Sequence, residues 1–194
     1  MPEMLSVHLL SVHDRHRAVF CIHNVDFFRG LFCGHVFFNC SGQLMTQVKD
    51  LELRVLVPAE APDLAALEAA VFDNVWDEQR FSTLLGQGSF IAVGAFQGNA
   101  LCGYITAYNM GGEAEIVNLA VRQDLRGRAV GGTILRYFLD QCSMLGVGRV
   151  VLDVRRGNRP ALTLYAKCGF MQVGLRRNYY ADSGEDALIL ERFL

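Results

Sequence analysis

The chain has almost no net charge. Its 194 residues carry a formal charge of -2, which removes bulk electrostatics as a reason to expect nucleic-acid binding. It has no run of about 18 uncharged apolar residues, so no membrane-spanning helix and no membrane partner are expected. Its N-terminus has Glu3 and no sustained apolar run, a poor match to a signal peptide. Its six cysteines (21, 33, 40, 102, 142 and 168) lack the close regular spacing of a disulfide scaffold. Cys142 and Cys168 fall on apolar helix faces, where a reduced thiol packs as a small hydrophobe. A reducing, cytoplasmic setting is therefore expected. No internal repeat or low-complexity tract is present. With 52% hydrophobic residues, the chain is long enough for one well-cored domain and too short for two ordinary ones.

Histidine is absent beyond residue 35. All five histidines and six of the thirteen phenylalanines lie in the first forty-odd residues. Cys21, His23, Cys33, His35 and Cys40 could be read as a zinc site, but their spacing fits no established ligand pattern, and no metal is expected. Residues 1–50 are expected to be an N-terminal extension without catalytic role. A start of translation at Met45 is an alternative reading, because the composition changes there. N-terminal sequencing of the native protein distinguishes the two.

From residue 51 onward the pattern is regular. Leu53–Val57 alternates like a strand and stops at Pro58. Residues 63–72 and 77–85 read as helices, the first with Leu64, Leu67, Ala70 and Val71 on its apolar face. A hairpin of Phe90–Phe96 and Leu101–Tyr108 follows, then a strand at 114–121. The helix at 131–145, with Ile134, Leu135, Phe138, Leu139, Cys142 and Leu145 inward, ends at Gly146. After it come a buried strand at 150–154, a helix through Ala161, Leu164, Tyr165 and Cys168, and strands near 170–176 and 187–193. The order predicts an α/β fold: a mixed, mostly antiparallel central sheet with helices on both faces.

The stretch Arg126-Gly127-Arg128-Ala129-Val130-Gly131-Gly132 lies between strand and helix. Such a turn offers backbone N–H groups and a helix N-terminus to a phosphate. Alone it is a weak signal. It is accompanied by Asn118-Leu119-Ala120-Val121, Asp153-Val154-Arg155, Asn158-Arg159-Pro160-Ala161, Leu164-Tyr165, Gly169-Phe170 and Arg176-Arg177-Asn178-Tyr179-Tyr180. With these pieces at these separations, residues 53–194 resemble the GCN5-related N-acetyltransferases (GNAT). Within that superfamily they resemble the bacterial ribosomal-protein-alanine acetyltransferases of the RimI type.

The resemblance implies a GNAT fold over residues 51–194, acetyl-CoA as co-substrate and an amine acceptor. It assigns Gly127 to Gly132, with Arg126 and Arg128 beside them, to the CoA pyrophosphate. Leu119, Ala120 and Val121 would lend backbone groups to the pantetheine arm and thioester, next to a bulge that splays the strand. Asn158 would lie against the CoA arm, or simply cap its helix. The family usually has glycine where Ala129 stands; a negative φ there would accommodate the Cβ.

Tyr165 is the expected general acid, since a phenol is protonated at neutral pH and can pass its proton to a departing thiolate. Asp153 is the expected base. It stands where RimI-type enzymes have glutamate, and a bridging water would cover the missing methylene. Glu115 is the second candidate, because alternation turns it toward an acceptor groove. Arg176, Arg177, Asn178, Tyr179 and Tyr180 are expected to form a loop beside the acceptor. The implied acceptor is a protein N-terminus, by resemblance that of a ribosomal protein, modified by direct attack in a ternary complex. A small-molecule amine acetyltransferase and a non-catalytic acyl-CoA-binding module are the alternatives. A monomer or weak dimer is expected.

Overall fold

The computed structural model describes residues 51–72 and 75–194. The cysteines at 21, 33 and 40, every histidine, the extension and Met45 lie outside the described residues.

Among the described residues, seven strands and four α-helices follow in the order β1 (Leu51–Val55), α1 (Ala61–Val71), α2 (Glu78–Leu85), β2 (Phe90–Gln97), β3 (Ala100–Asn109), β4 (Glu113–Val121), α3 (Val130–Met144), β5 (Arg149–Arg155), α4 (Arg159–Lys167), β6 (Met171–Tyr180) and β7 (Glu185–Phe193). The strands form one sheet in the order β1-β2-β3-β4-β5-β7-β6. Every neighbouring pair is antiparallel except β4 and β5. This is the mixed, mostly antiparallel sheet that the family resemblance implied.

Helix ends follow local chemistry. Asp77 caps α2 by accepting a hydrogen bond from the Arg80 N–H at 2.8 Å. Asn158 does the same for α4 through Ala161, at 3.2 Å. Gly146 stops α3 with φ 75°, the left-handed conformation a C′ residue takes.

Each sheet face has its own core. On one, Ile134, Leu135, Phe138 and Cys142 of α3 and Tyr165 of α4 pack against Ile105, Ile116, Val150 and Leu152. On the other, Leu64 and Leu67 of α1 and Phe81 of α2 pack against Phe90, Tyr104 and Ala120. Two inward expectations fail. Leu145 is 58% exposed, because the chain has left the helix by that residue. On α1 the buried face is Ala61, Leu64, Leu67 and Glu68, and Ala70 points to solvent. The apolar stripe thus includes an acid that residue type alone had excluded.

Gly103 lets α3 lie close to the sheet. A Cβ there would meet the Ala120 carbonyl oxygen at 2.7 Å and Ile134 Cδ1 at 2.8 Å.

Candidate active site

The site begins where β4 and β5 part. Their parallel pairing runs from Glu113/Arg149 to Ile116/Leu152 and goes no further. At the same point β4 bulges against β3: Thr106 pairs with Asn118 and Ala107 with Ile116, so Val117 is the extra residue. Beyond the bulge the β5-facing backbone of residues 117–121 has no partner strand among the described residues. The side chains of Leu119 and Val121 pack on the α3 core, and Ala120 is buried in the opposite one. What these three residues offer the opening is therefore backbone.

The glycine-bearing turn lies at the start of α3. Gly127 has φ 75° and Ala129 has φ 63°. A negative φ at Ala129 was the expectation; the structure instead keeps the left-handed geometry with a Cβ in place. The turn needs that conformation to bring the chain into α3, and alanine tolerates it at a cost of about 1–2 kcal/mol. Ala129 is the N-cap and supplies no side-chain cap, and no acid stands in the first turn. Among the described residues no side chain caps the first N–H groups of this 15-residue helix, which suits them to an anion. A Cβ at Gly131 or Gly132 would touch Leu164 of α4 at 3.4–3.5 Å, so the helix start and α4 are tightly apposed. Arg126 Nε donates to the Val121 carbonyl at 3.2 Å, linking the turn to the end of β4. Arg128 is exposed. Arg136, which the sequence did not single out, brings its guanidinium to 3.4 Å of the Cβ position of Gly132. Uncapped amides, nearby cations and room beside Gly127, where a Cβ would meet nothing within 4 Å, together suit a diphosphate.

Tyr165 is 6% exposed on α4 and stacks edge-on to Phe170 at 5.4 Å. Burial pushes its phenol well above the ordinary tyrosine value, and negative potential from Cys168 and Tyr180 adds to this.

Asp153 lies on β5, on the face opposite the α3 core. Its Oδ2 is 3.1 Å from Arg176 Nε. Residues 176–180 are not a loop, as the sequence had suggested, but the end of β6. Arg176 pairs with Ala187 and Tyr180 with Glu185, and the three residues between them bulge. Asn178 takes φ 51° and donates its N–H to Asp186 Oδ1 at 3.0 Å. The Arg155 guanidinium stacks over Tyr180 at 3.8 Å, and that of Arg176 is 5.4 Å from the Tyr179 ring centroid. Tyr180 lies within electrostatic reach of both Tyr165 and Asp153, and Arg177 is exposed. Asp153 thus shares one cluster with Arg176, Tyr179 and Tyr180, while Arg177 faces solvent and Asn178 bonds Asp186. Glu115 is exposed on the same sheet face, in register with Val151, two residues before Asp153. Among the described residues, no three histidine, cysteine or acidic side chains gather as a metal site.

A splayed β4–β5 pair beside an uncapped helix start is an arrangement that comparison can test. A model described as "Acetyltransferase (GNAT) family" matches residues 60–170. The chain belongs to the GNAT acetyltransferases. It is an acetyl-CoA-dependent N-acetyltransferase by family. Among curated GNAT relatives, it is 35% identical over 155 residues to the Mycobacterium tuberculosis N-alpha-acetyltransferase RimI, covering 77% of this chain and 96% of that protein. It is 30% identical over 136 residues to the Escherichia coli ribosomal protein bS18-alanine N-acetyltransferase, covering 68% and 91%. The crystal structure of an Escherichia coli enzyme with that activity matches at a TM-score of 0.68 and 25% identity, over 74% of this chain and 94% of the other. No helix among the described residues of this GNAT chain is long and apolar enough to cross a membrane.

Proposed function

We propose that this enzyme acetylates the α-amine of a protein, with an N-terminal alanine of a ribosomal protein as the acceptor class. Catalysis is assigned to residues 51–194. One observation carries the reading: the candidate base Asp153 already holds a cation, Arg176, at 3.1 Å, within a cluster of aromatic and charged residues. A protonated amine would find the same carboxylate. The relatives that act on protein N-termini support the acceptor class.

Acetyl-CoA, when bound, supplies an acetyl group activated as a thioester. The amides of Gly127 to Gly132, with Arg126 and Arg128, hold its diphosphate. Asn158 lies against its arm. The backbone of Leu119, Ala120 and Val121 orients the thioester and offers an N–H to the carbonyl oxygen as charge develops there. Asp153 takes a proton from the incoming ammonium, whose ordinary pKa is about 8, through a water that spans the missing methylene. Glu115 is the second candidate for that role. The neutral amine attacks the thioester carbon, so that a C–N bond forms and the C–S bond breaks. Tyr165, kept protonated by burial, gives its proton to the departing thiolate of ordinary pKa about 8.5, and the second proton shed by the nitrogen restores the phenol. Arg176 to Tyr180 line the approach of the polypeptide.

The test is release of CoA thiol with a basic peptide beginning in alanine, compared with small polyamines. Turnover at least about tenfold faster with the peptide is expected, given what a few specific contacts provide. Preference for polyamines would replace the reading with a small-molecule acetyltransferase. Binding of acetyl-CoA without turnover on either would favour a regulatory module.

A further inference from the structure

Glu68 has no part in the chemistry above, yet its placement is unusual for an acid. It stands on the apolar face of α1 and is 1% exposed. Its Oε1 accepts a hydrogen bond from Asn118 Nδ2 at 3.2 Å, across 50 residues of sequence. Asn118 directly follows Val117, the residue that bulges β4. Its register partner on β3 is Thr106, which is 0% exposed and whose hydroxyl has no partner among the described residues. The Trp76 backbone N–H also lies near the carboxyl, but Glu68 Oε2 is buried without a well-formed hydrogen bond among the described residues. A carboxyl in such a place costs stability, and an apolar side chain of similar size would fill it more cheaply.

We infer that Glu68 is a positioning residue. Its carboxyl holds the Asn118 amide under α1 and so fixes the bulge that turns the β4 backbone away from β5. It also ties α1 to the strand whose backbone orients the thioester. A bulge locally breaks the ladder, and an anchor from a rigid helix holds the residue beside it in place. This rests on the reading that the β4 backbone beyond the bulge serves the transfer.

The experiment compares Glu68→Leu, Glu68→Gln and Asn118→Ala with the wild type, each well below its unfolding temperature. Two quantities are read: the NMR amide shifts of residues 117–121, and kcat with the alanine-initiated peptide. Glu68→Leu should shift the 117–121 amides and lower kcat by about 10- to 100-fold, the scale of an ångström's misplacement. Acetyl-CoA affinity, set largely at the α3 turn, should change by no more than about twofold. Glu68→Gln keeps the acceptor for Asn118 and should retain kcat within about threefold, with wild-type shifts. The double variant Glu68→Leu with Asn118→Ala should be no worse than the poorer single one. A folded Glu68→Leu with wild-type shifts and kcat would overturn the inference. Should the wild type fail to turn over the peptide, the proposed acceptor falls, and the shifts at 117–121 still decide the role of Glu68.

Discussion

Three residues depart from what their type would suggest, and each departure has a measurable consequence. Ala129 holds a left-handed conformation that glycine adopts freely. Ala129→Gly should relieve strain of about 1–2 kcal/mol, less about 0.4–1 kcal/mol for the looser unfolded chain. A small net rise in the urea midpoint with an unchanged slope is expected. Glu68 is pushed by burial from its ordinary value of 4.5 up to about 7, with the Trp76 backbone pulling the other way. A folded pKa raised above the unfolded one means the native state holds the proton more tightly. The contribution is complete below about pH 4.5 and lost as pH rises through about 7. Stability should therefore decline by roughly 3 kcal/mol at most across that window. Urea titrations of Glu68→Gln at several pH values should show the decline flattened. The Tyr165 phenol is raised in the same direction and for the same main reason. It stays protonated through the range where an ordinary tyrosine, near pH 10, ionises, so its titration should not set the alkaline limb of activity. Tyr165→Phe should lower kcat by about 10²–10⁴-fold with acetyl-CoA affinity retained, as measured by single-turnover kinetics and calorimetry.

Elements carry the next set of consequences. Alpha3 rests on β3 through Gly103, where a Cβ would press against a carbonyl oxygen and Ile134. Gly103→Ala should destabilise the fold by about 1–3 kcal/mol, seen as a lower urea midpoint. The order and identity of the elements were legible in the sequence, because strand alternation, helical periodicity and stop signals at Pro58, Gly146 and Gly169 are local. The bulge at Val117 was legible only through the family resemblance. Hydropathy does not mark it, since Val117 and Asn118 are both half-buried. The extension of β6 through Tyr180 was hidden for a related reason. Arg176-Arg177-Asn178-Tyr179-Tyr180 has no alternation, and the strand survives there only by bulging at Asn178. Asn178 itself was the available signal, as asparagine tolerates the left-handed region. The contact between Asp153 and Arg176 spans separate strands and no local pattern encodes it. Glu68 was readable in hindsight, one residue after Leu67 and four after Leu64, on the buried stripe of α1.

For the whole molecule, the site results from two cores meeting across one opening. The α3 and α4 core presents the amides of the turn and Tyr165; the opposite face presents Asp153, Arg155 and Glu115. β4 and β5 part after Ile116 and Leu152, and on the proposed function a donor held on one face would meet the acceptor through that gap. On the same proposal, Tyr179, Tyr180 and Arg155 at the strand ends would line the acceptor side and suit an extended chain end. The most direct measurement is tandem mass spectrometry of a basic peptide that begins with alanine and carries an internal lysine, after incubation with the enzyme and acetyl-CoA. Acetyl is expected on the α-amine and none on the lysine. Acetyl on the lysine side chain, or an unmodified peptide while a polyamine is acetylated, would contradict that expectation.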